Sequence, residues 1–363
     1  MTARSGPDIL VAGTGFGCRI QVPALRAAGF NPVGLVGTDA ERTARRAADN
    51  DVPLAFTDLD RAISETGARA VAISTPPNTH FPLVMTALAH GCHVLCEKPF
   101  AINAAEARLM LEAAERAGVV HALGNEFRWA PERVLMARLI ADGMIGEPRL
   151  ATFTQFVQYL ADPDVNLPSW WFDRNAGGGW LGASGAHVID WIRVLLGEFE
   201  SLSAALPSLA SPEGGAEDSF VLRFRLANGT EGTLQQTASA WGPLASMVRV
   251  MGTQGTIWLD NKAVWLADRE GTREVPIPPE SLLAPPPVLG RDPRRHSSEW
   301  QMLSAIELAP YVRLCAAWRR AIEGAPPQDD VSMPSFADGL AGMAIFDAVR
   351  ASAATGGALI RLA

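Results

Sequence analysis

Hydrophobic positions fall into two regimes along the chain. Up to about residue 124, short unbroken apolar runs alternate with stretches of helical period; beyond it, strict apolar–polar alternation becomes common. In the first regime residues 8–12, 32–36, 53–56, 70–74, 94–96 and 119–123 read as buried strands. Helical stretches at 19–28, 59–65, 80–90 and 104–117, with another carrying Arg42 to Arg46, separate them. Strand and helix in steady alternation predict a doubly wound parallel sheet. In the second regime residues 150–157, 218–226, 230–237, 246–251 and 255–259 alternate as half-buried strands, which predicts a mainly antiparallel sheet. Helices at 130–142, 182–196, 309–323 and 336–354 are expected to cover one face of it. The proline-rich stretch 276–293 reads as a long loop, a lid or a subunit arm. The division expected is therefore 1–124 and 125–363.

The first strand runs straight into Gly13-Thr14-Gly15-Phe16-Gly17-Cys18. Gly13 permits a tight turn and Gly15 lets the backbone approach a pyrophosphate seated on the following helix N-terminus; Phe16 and Gly17 line the same turn. Cys18 holds the third position of the pattern, where a small residue is needed. This places a Rossmann dinucleotide site in the first domain, with NAD or NADP as cofactor. After the second strand, where NAD enzymes usually carry an acid, stand Gly37 and Thr38, then Asp39, Arg42, Arg45 and Arg46. Thr38 and Arg42 suit a 2′-phosphate, so the reading leans to NADP; the alternative is that Asp39 reaches the ribose and the arginines are a solvated helix face.

The fourth strand exits through Thr75-Pro76-Pro77, an extended path for a cofactor to lie on, and His80, which opens the next helix, is grouped with the cofactor contacts. The fifth ends in Glu97-Lys98-Pro99. Charged groups released at the carboxyl end of a parallel strand face a ligand, so Lys98 is the first catalytic candidate and Glu97 is grouped with the cofactor contacts.

The chain has 363 residues and a net charge of −8 without blocks of one sign, which argues against nucleic acid and anionic membrane as partners. It lacks an apolar run of membrane-spanning length, and its start is short and polar. Four cysteines read as reduced cytoplasmic thiols, and six scattered histidines lack metal-ligand spacing, so no metal is expected.

The glycine-rich turn, Thr75-Pro76-Pro77-Asn78-Thr79-His80, Glu97-Lys98-Pro99 and the later Gly177-Gly178-Gly179 followed by His187 and Asp190 resemble the glucose-fructose oxidoreductase/inositol dehydrogenase (Gfo/Idh/MocA) family over nearly the whole chain. The resemblance implies a second α/β domain with an open, mainly antiparallel sheet, used for homodimer or homotetramer formation. It also implies NAD(P) chemistry on sugars and polyols, with Lys98 near the reacting carbon. One departure stands out: Ala183 occupies the place where sugar-oxidising members usually carry an aspartate paired with the histidine.

Three roles stay open for His187. It is the sole proton donor or acceptor, a substrate ligand beside a proton-transferring Lys98, or a core histidine bonded to Asp190. Ser184 can hold a water or a substrate group. Trp170 and Trp171, with Trp180 and Trp241, can form a stacking floor for a ring. Arg128 and Glu126 can meet substrate polar groups or form a plain ion pair. The function expected is hydride transfer between nicotinamide and a carbinol or carbonyl carbon of a sugar-like or cyclic substrate. Transient oxidation without net redox change, or a non-catalytic regulatory role, are the alternatives.

Overall fold

A computed structural model describes residues 6–362 except 163, 166, 211–214, 286, 288–290 and 329. The chain forms two compact units. The first runs to Ala101 and adds Ala105–Trp129 and Leu283–Leu340; the second comprises Ile102–Ala104, Ala130–Leu282 and the chain from Ala341 on.

In the first unit, β1 (Asp8–Ala12) is followed by a π-wound turn, Gly17–Gln21, and α1 (Val22–Ala27). Then come β2 (Asn31–Val36), α2 (Ala40–Asp49), β3 (Leu54–Phe56), α3 (Leu59–Thr66), β4 (Ala70–Ile73), α4 (His80–Ala89), β5 (His93–Cys96), α5 (Ala104–Ala117) and β6 (His121–Leu123). The strands form one parallel sheet in the order β3-β2-β1-β4-β5-β6. The order reverses between β1 and β4, so the crevice at their carboxyl ends is the natural ligand position. Residues Ile9 to Ala12 and all of β4 are buried, as expected of parallel strands covered on both faces. Asp39 and Asp58 start α2 and α3 by accepting the Arg42 and Arg61 backbone N–H at 2.8 and 2.7 Å.

In the second unit α6 (Pro131–Ala141), β7 (Pro148–Phe156) and α7 (Ala186–Leu196) precede β8 (Phe199–Ala205), β9 (Ser219–Leu226), β10 (Glu231–Thr237), β11 (Ala245–Gly252), β12 (Thr256–Asp260), β13 (Ala263–Asp268) and β14 (Gly271–Val275). With β15 (Ile360–Arg361) they make a nine-stranded sheet, β14-β13-β12-β11-β7-β10-β9-β8-β15. Only the β7–β10 pairing is parallel; the others are antiparallel. Thus the fold is α/β, a Rossmann sheet plus an open, mainly antiparallel one. Strict burial alternation in β9 made it legible; β8, β13, β14 and β15 were not, because they are short, register-shifted or partly exposed on both faces.

A single boundary after Gly124 does not describe these units. The expected helix 309–323 is α8 (Ser298–Ile322), eleven residues longer at its start, with Ser297 accepting the Trp300 N–H and Pro310 inside it. Its buried face, Leu308, Tyr311, Leu314, Cys315 and Trp318, joins the core built on Ile9, Val11, Leu35 and Leu95. Trp318 stacks on Phe30 at 5.2 Å between centroids. This burial, roughly 1.5–3 kcal/mol for each large apolar side chain, ties a late segment to the first unit. The unit boundary then falls within α9 (Phe336–Ala354). The proline-rich stretch contains short 3-10 turns at Pro279–Ser281 and Pro293–His296; residues 286 and 288–290 of it lie outside the described residues. Among the described residues no helix is long and apolar enough to cross a membrane.

Candidate active site

The glycine-rich turn sits at the β1–β4 reversal. Gly13 has φ +115°, and a Cβ there would meet the Ser74 carbonyl and hydroxyl at 2.6 Å. Gly17 packs on the sheet, its notional Cβ 2.9 Å from Val11 Cγ1, and so takes the close-packing role assigned above to Cys18, which is itself buried in the core. Gly15 differs: a Cβ there would meet nothing within 4 Å. The open space above Gly15, at the start of a helical segment, fits the pyrophosphate of a dinucleotide. Phe16 is half-buried and meets the Tyr311 ring edge at 5.7 Å.

At the end of β2 one oxygen of the exposed Asp39 carboxylate caps α2. Arg42 donates to Thr38 Oγ1 at 3.1 Å, and Arg46 reaches back to Thr14 Oγ1 at 2.6 Å. Sequence reasoning missed a third cation. Arg294, some 250 residues later, donates to the Thr14 carbonyl at 3.1 Å and is held by Asp292, which also accepts from Asn50 at 2.9 Å. Burial pushes Asp292 up, but the Arg294 and Asn50 bonds outweigh it and hold the carboxyl at about 2. Burial, then the nearness of Arg294, lowers the pKa of Arg46. No local pattern announces Arg294, which arrives from the 3-10 turn Pro293–His296.

At the ends of β4 and β5, Thr75 and Pro76 are half-buried in an extended exit, and Thr79 Oγ1 donates to Thr75 Oγ1 at 2.6 Å. His80 corrects its expected cofactor role. It is fully buried, with Nε2 2.9 Å from the Thr75 carbonyl and Nδ1 3.1 and 3.2 Å from those of Pro99 and Phe100. Both ring nitrogens are engaged by backbone, so the ring pins the Thr75 turn to the turn after Lys98. Burial pushes its pKa down against the three carbonyls.

Glu97 likewise points inward and not to a cofactor. It is 6% exposed, accepts the Tyr311 hydroxyl at 2.5 Å and the Lys98 backbone N–H at 3.2 Å, and Gln21 donates to the same hydroxyl at 2.9 Å. Lys98 is half-buried at the strand end.

Arg128 is corrected too. It lies in a 3-10 turn, Glu126–Trp129, 7% exposed, ion-paired to Asp338 at 2.8 Å and bonded to Ser332. That network takes up the guanidinium expected to meet a substrate, and the partner is Asp338 rather than Glu126.

In the second unit the Trp170 and Trp171 rings lie 5.6 Å apart, both half-buried, while Trp180 is buried and Trp241 is 74% exposed. The glycine run is tight rather than flexible: a Cβ on Gly178 would meet the Trp170 carbonyl at 2.2 Å, and one on Gly179 (φ +107°) the Glu217 carboxylate at 2.3 Å. Ser184 donates to Gln236 Oε1 at 2.7 Å, with Gln155 Oε1 at 3.3 Å, so its hydroxyl is tied to β10 beside β7. His187 is half-buried in the first turn of α7. The turn before it, Leu181–Gly185, is π-wound, so the four-residue spacing from Ala183 to His187 does not carry an α-helical face. Both π-wound turns stand beside residues expected to do chemistry, where such turns are frequent.

The profile of an oxidoreductase family with an NAD-binding Rossmann fold, GFO/IDH/MocA, matches residues 8–125, and the GFO/IDH/MocA C-terminal domain matches residues 134–258. A 1,5-anhydro-D-fructose reductase from Ensifer adhaerens is 30% identical over 72% of this chain and 80% of its own. Levoglucosan dehydrogenase from Pseudarthrobacter phenanthrenivorans is 31% identical over 54% of this chain and 56% of its own. A solved levoglucosan dehydrogenase in complex with NADH and levoglucosan superposes with a TM-score of 0.83 at 25% identity, covering 98% of this chain and 99% of that one. The chain belongs to the Gfo/Idh/MocA family. It is an NAD-binding oxidoreductase of the sugar dehydrogenase/reductase type.

Proposed function

We propose that this protein is an NADP-preferring dehydrogenase or reductase acting at a carbinol or carbonyl carbon of a sugar-like or cyclic substrate. The observation that carries the cofactor preference is the convergence of Arg42, Arg46 and Arg294 on Thr14 and Thr38, while one oxygen of Asp39 is committed to a helix cap. Three cations and a hydroxyl around a single, partly engaged carboxylate suit a 2′-phosphate better than a free ribose diol. Gly13, Gly15, Phe16 and Gly17 would hold the pyrophosphate, and Thr75 with Pro76 the extended path beyond it. The bound nicotinamide supplies hydride exchange at its C4. Lys98 exchanges the proton of the substrate oxygen, and His187, without the charged neighbour that Ala183 replaces, serves as a substrate ligand.

The sugar class is supported by the relatives named for anhydro-sugars, and by D-apiose dehydrogenase from Paraburkholderia graminis, 28% identical over 76% of this chain. The Trp170–Trp171 pair gives a surface on which a ring can stack. We assign cofactor binding to the first unit and substrate binding and self-association to the second. On one sheet face Arg249 lies 4.6 Å over Trp258, itself 6.1 Å from Trp265, a cross-strand ladder suited to pairing with a second copy. Four buried free thiols accord with a reducing, cytoplasmic setting.

Fluorescence titration with NADPH and NADH tests the cofactor reading. NADPH should bind at least about tenfold more tightly, one charge-assisted contact's worth; equal affinities would refute it.

A further inference from the structure

Beside Lys98 lies a cluster of buried acidic side chains that the reaction as outlined does not use. Glu97 is 6% exposed and Glu126 1%. Glu126 Oε2 and Glu307 Oε2 are buried without a hydrogen-bond partner among the described residues. The Glu307 side chain is 15% exposed, and its ion-pair partner Arg19 stands 3.8 Å away, beyond hydrogen-bond reach. A Cβ on Gly124 would come within 2.6–2.7 Å of the Glu97 carboxylate, so the cluster is walled on that side.

The groups bearing on Glu97 come from every element around it: Cys96 and Lys98 at the end of β5, Glu126 from its 3-10 turn, Gln21 and Arg19 from the π-wound turn, and Glu307, Tyr311 and Cys315 from α8. Three carboxylates against two cations leave one negative charge in excess where water does not screen it. Like charges in such a site do not all ionise. Burial lifts Glu97 to about 7 despite Lys98 and the Tyr311 bond; burial, then Glu97 and Glu307, raises Glu126 well above the carboxylate range.

We propose that Glu97, Glu126 and Glu307 form a buried proton store that acts through Lys98, with Tyr311 positioned to set its proton affinity through Glu97. The proposal rests on Lys98 as the residue at the reacting oxygen. In carbinol oxidation the Lys98 ammonium first gives a proton to Glu97: one N–H bond breaks and a carboxyl O–H forms. The neutral amine then takes the carbinol proton; a bound nicotinamide would supply the acceptor for the C–H electron pair, so that the lost O–H and C–H bonds are balanced by the new N–H bond, the transferred hydride and the C=O bond. The stored proton afterwards passes to water. Reduction runs the same path backwards. This store supplies the proton-accepting carboxylate that Ala183 removes from the usual position.

Infrared difference spectroscopy of the whole protein, without substrate, tests the store. A carboxylic acid band should vanish as pH rises through about 7. It should be missing in Glu97→Gln. In Tyr311→Phe, which keeps the ring and removes the donor to the ionised form, it should persist about one pH unit higher, a tenfold change in proton affinity. The acidic limb of the kcat profile for oxidation should move up with it, at unchanged KM. No titrating carboxyl band in wild type, or a band unaltered in Glu97→Gln, overturns the store even where Tyr311→Phe does not fold. A normal band with an unmoved limb overturns its link to Lys98. The predicted bands with no turnover on any substrate support the store and count against the oxidoreductase reading.

Discussion

Tyr311 donates a 2.5 Å hydrogen bond to Glu97, 214 residues upstream in the sequence. The bond fastens the strand end that presents Lys98 to α8, whose apolar face closes the first unit's core. Placement of Lys98 therefore depends on a helix that sequence order assigns to the second domain.

The burial of Glu97 gives stability a pH signature. Burial raises the Glu97 carboxyl from 4.5 to about 7, so the folded state holds a proton that the unfolded chain releases. That contribution is full below the unfolded value and is lost as pH rises through the folded one. Glu97→Gln cannot ionise, so between about pH 5 and about pH 8 it should lose less stability than wild type. Urea unfolding at both pH values measures this; equal losses would show that Glu97 holds no such proton.

Gly13 and Gly15 should separate folding from binding. Alanine at Gly13 must adopt φ +115° and meet Ser74 at 2.6 Å, so Gly13→Ala is expected to lose about 1–3 kcal/mol of stability. Gly15→Ala meets nothing within 4 Å, so its thermal unfolding should match wild type while dinucleotide binding falls. Calorimetry with and without NADPH distinguishes the two; an unstable Gly15→Ala would contradict the assignment.

Arg42→Ala and Arg294→Ala should each weaken NADPH about tenfold to hundredfold and leave NADH nearly untouched, since each removes a charged donor near Thr38 or Thr14. Titration with adenosine 2′,5′-bisphosphate isolates the effect from the nicotinamide end. Equal losses for NADH would place these arginines in the fold and not at a 2′-phosphate.

Arg128 and Asp338 form a pair with side chains 3% and 22% exposed. Asp338→Ala strands a buried guanidinium and should lose about 3–5 kcal/mol, whereas replacing both partners by apolar residues should restore much of it. A double-mutant cycle in denaturant gives the coupling; additive losses would mean that the pair is energetically silent.

Much of the first unit was legible because its strands are buried on both faces and its turns need particular residues: Gly13 has no alternative at its φ, and Asp39 and Asp58 announce helix starts. The second sheet was legible where alternation is strict, as in β9. The site was less so. Lys98, Thr38 and Arg42 carry local signals, but Arg294 and Tyr311 reach it through tertiary packing that no spacing encodes. His80, Glu97 and Arg128 hold intramolecular partners that their sequence positions do not announce, because a polar residue at a strand end or domain junction reads the same whether it faces a ligand or satisfies buried backbone and charge. The π-wound turn before His187 likewise leaves no periodic trace in Leu181-Gly182-Ala183-Ser184-Gly185.

The most direct test of the account is nicotinamide absorbance during turnover on a panel of anhydro-sugars, aldoses and polyols, with wild type and Lys98→Met compared on the same substrate. Wild type should transfer hydride on at least one of them, and Lys98→Met should bind NADPH normally yet fall about 10²–10⁴-fold in kcat. Turnover that survives Lys98→Met intact would contradict the central role of that lysine.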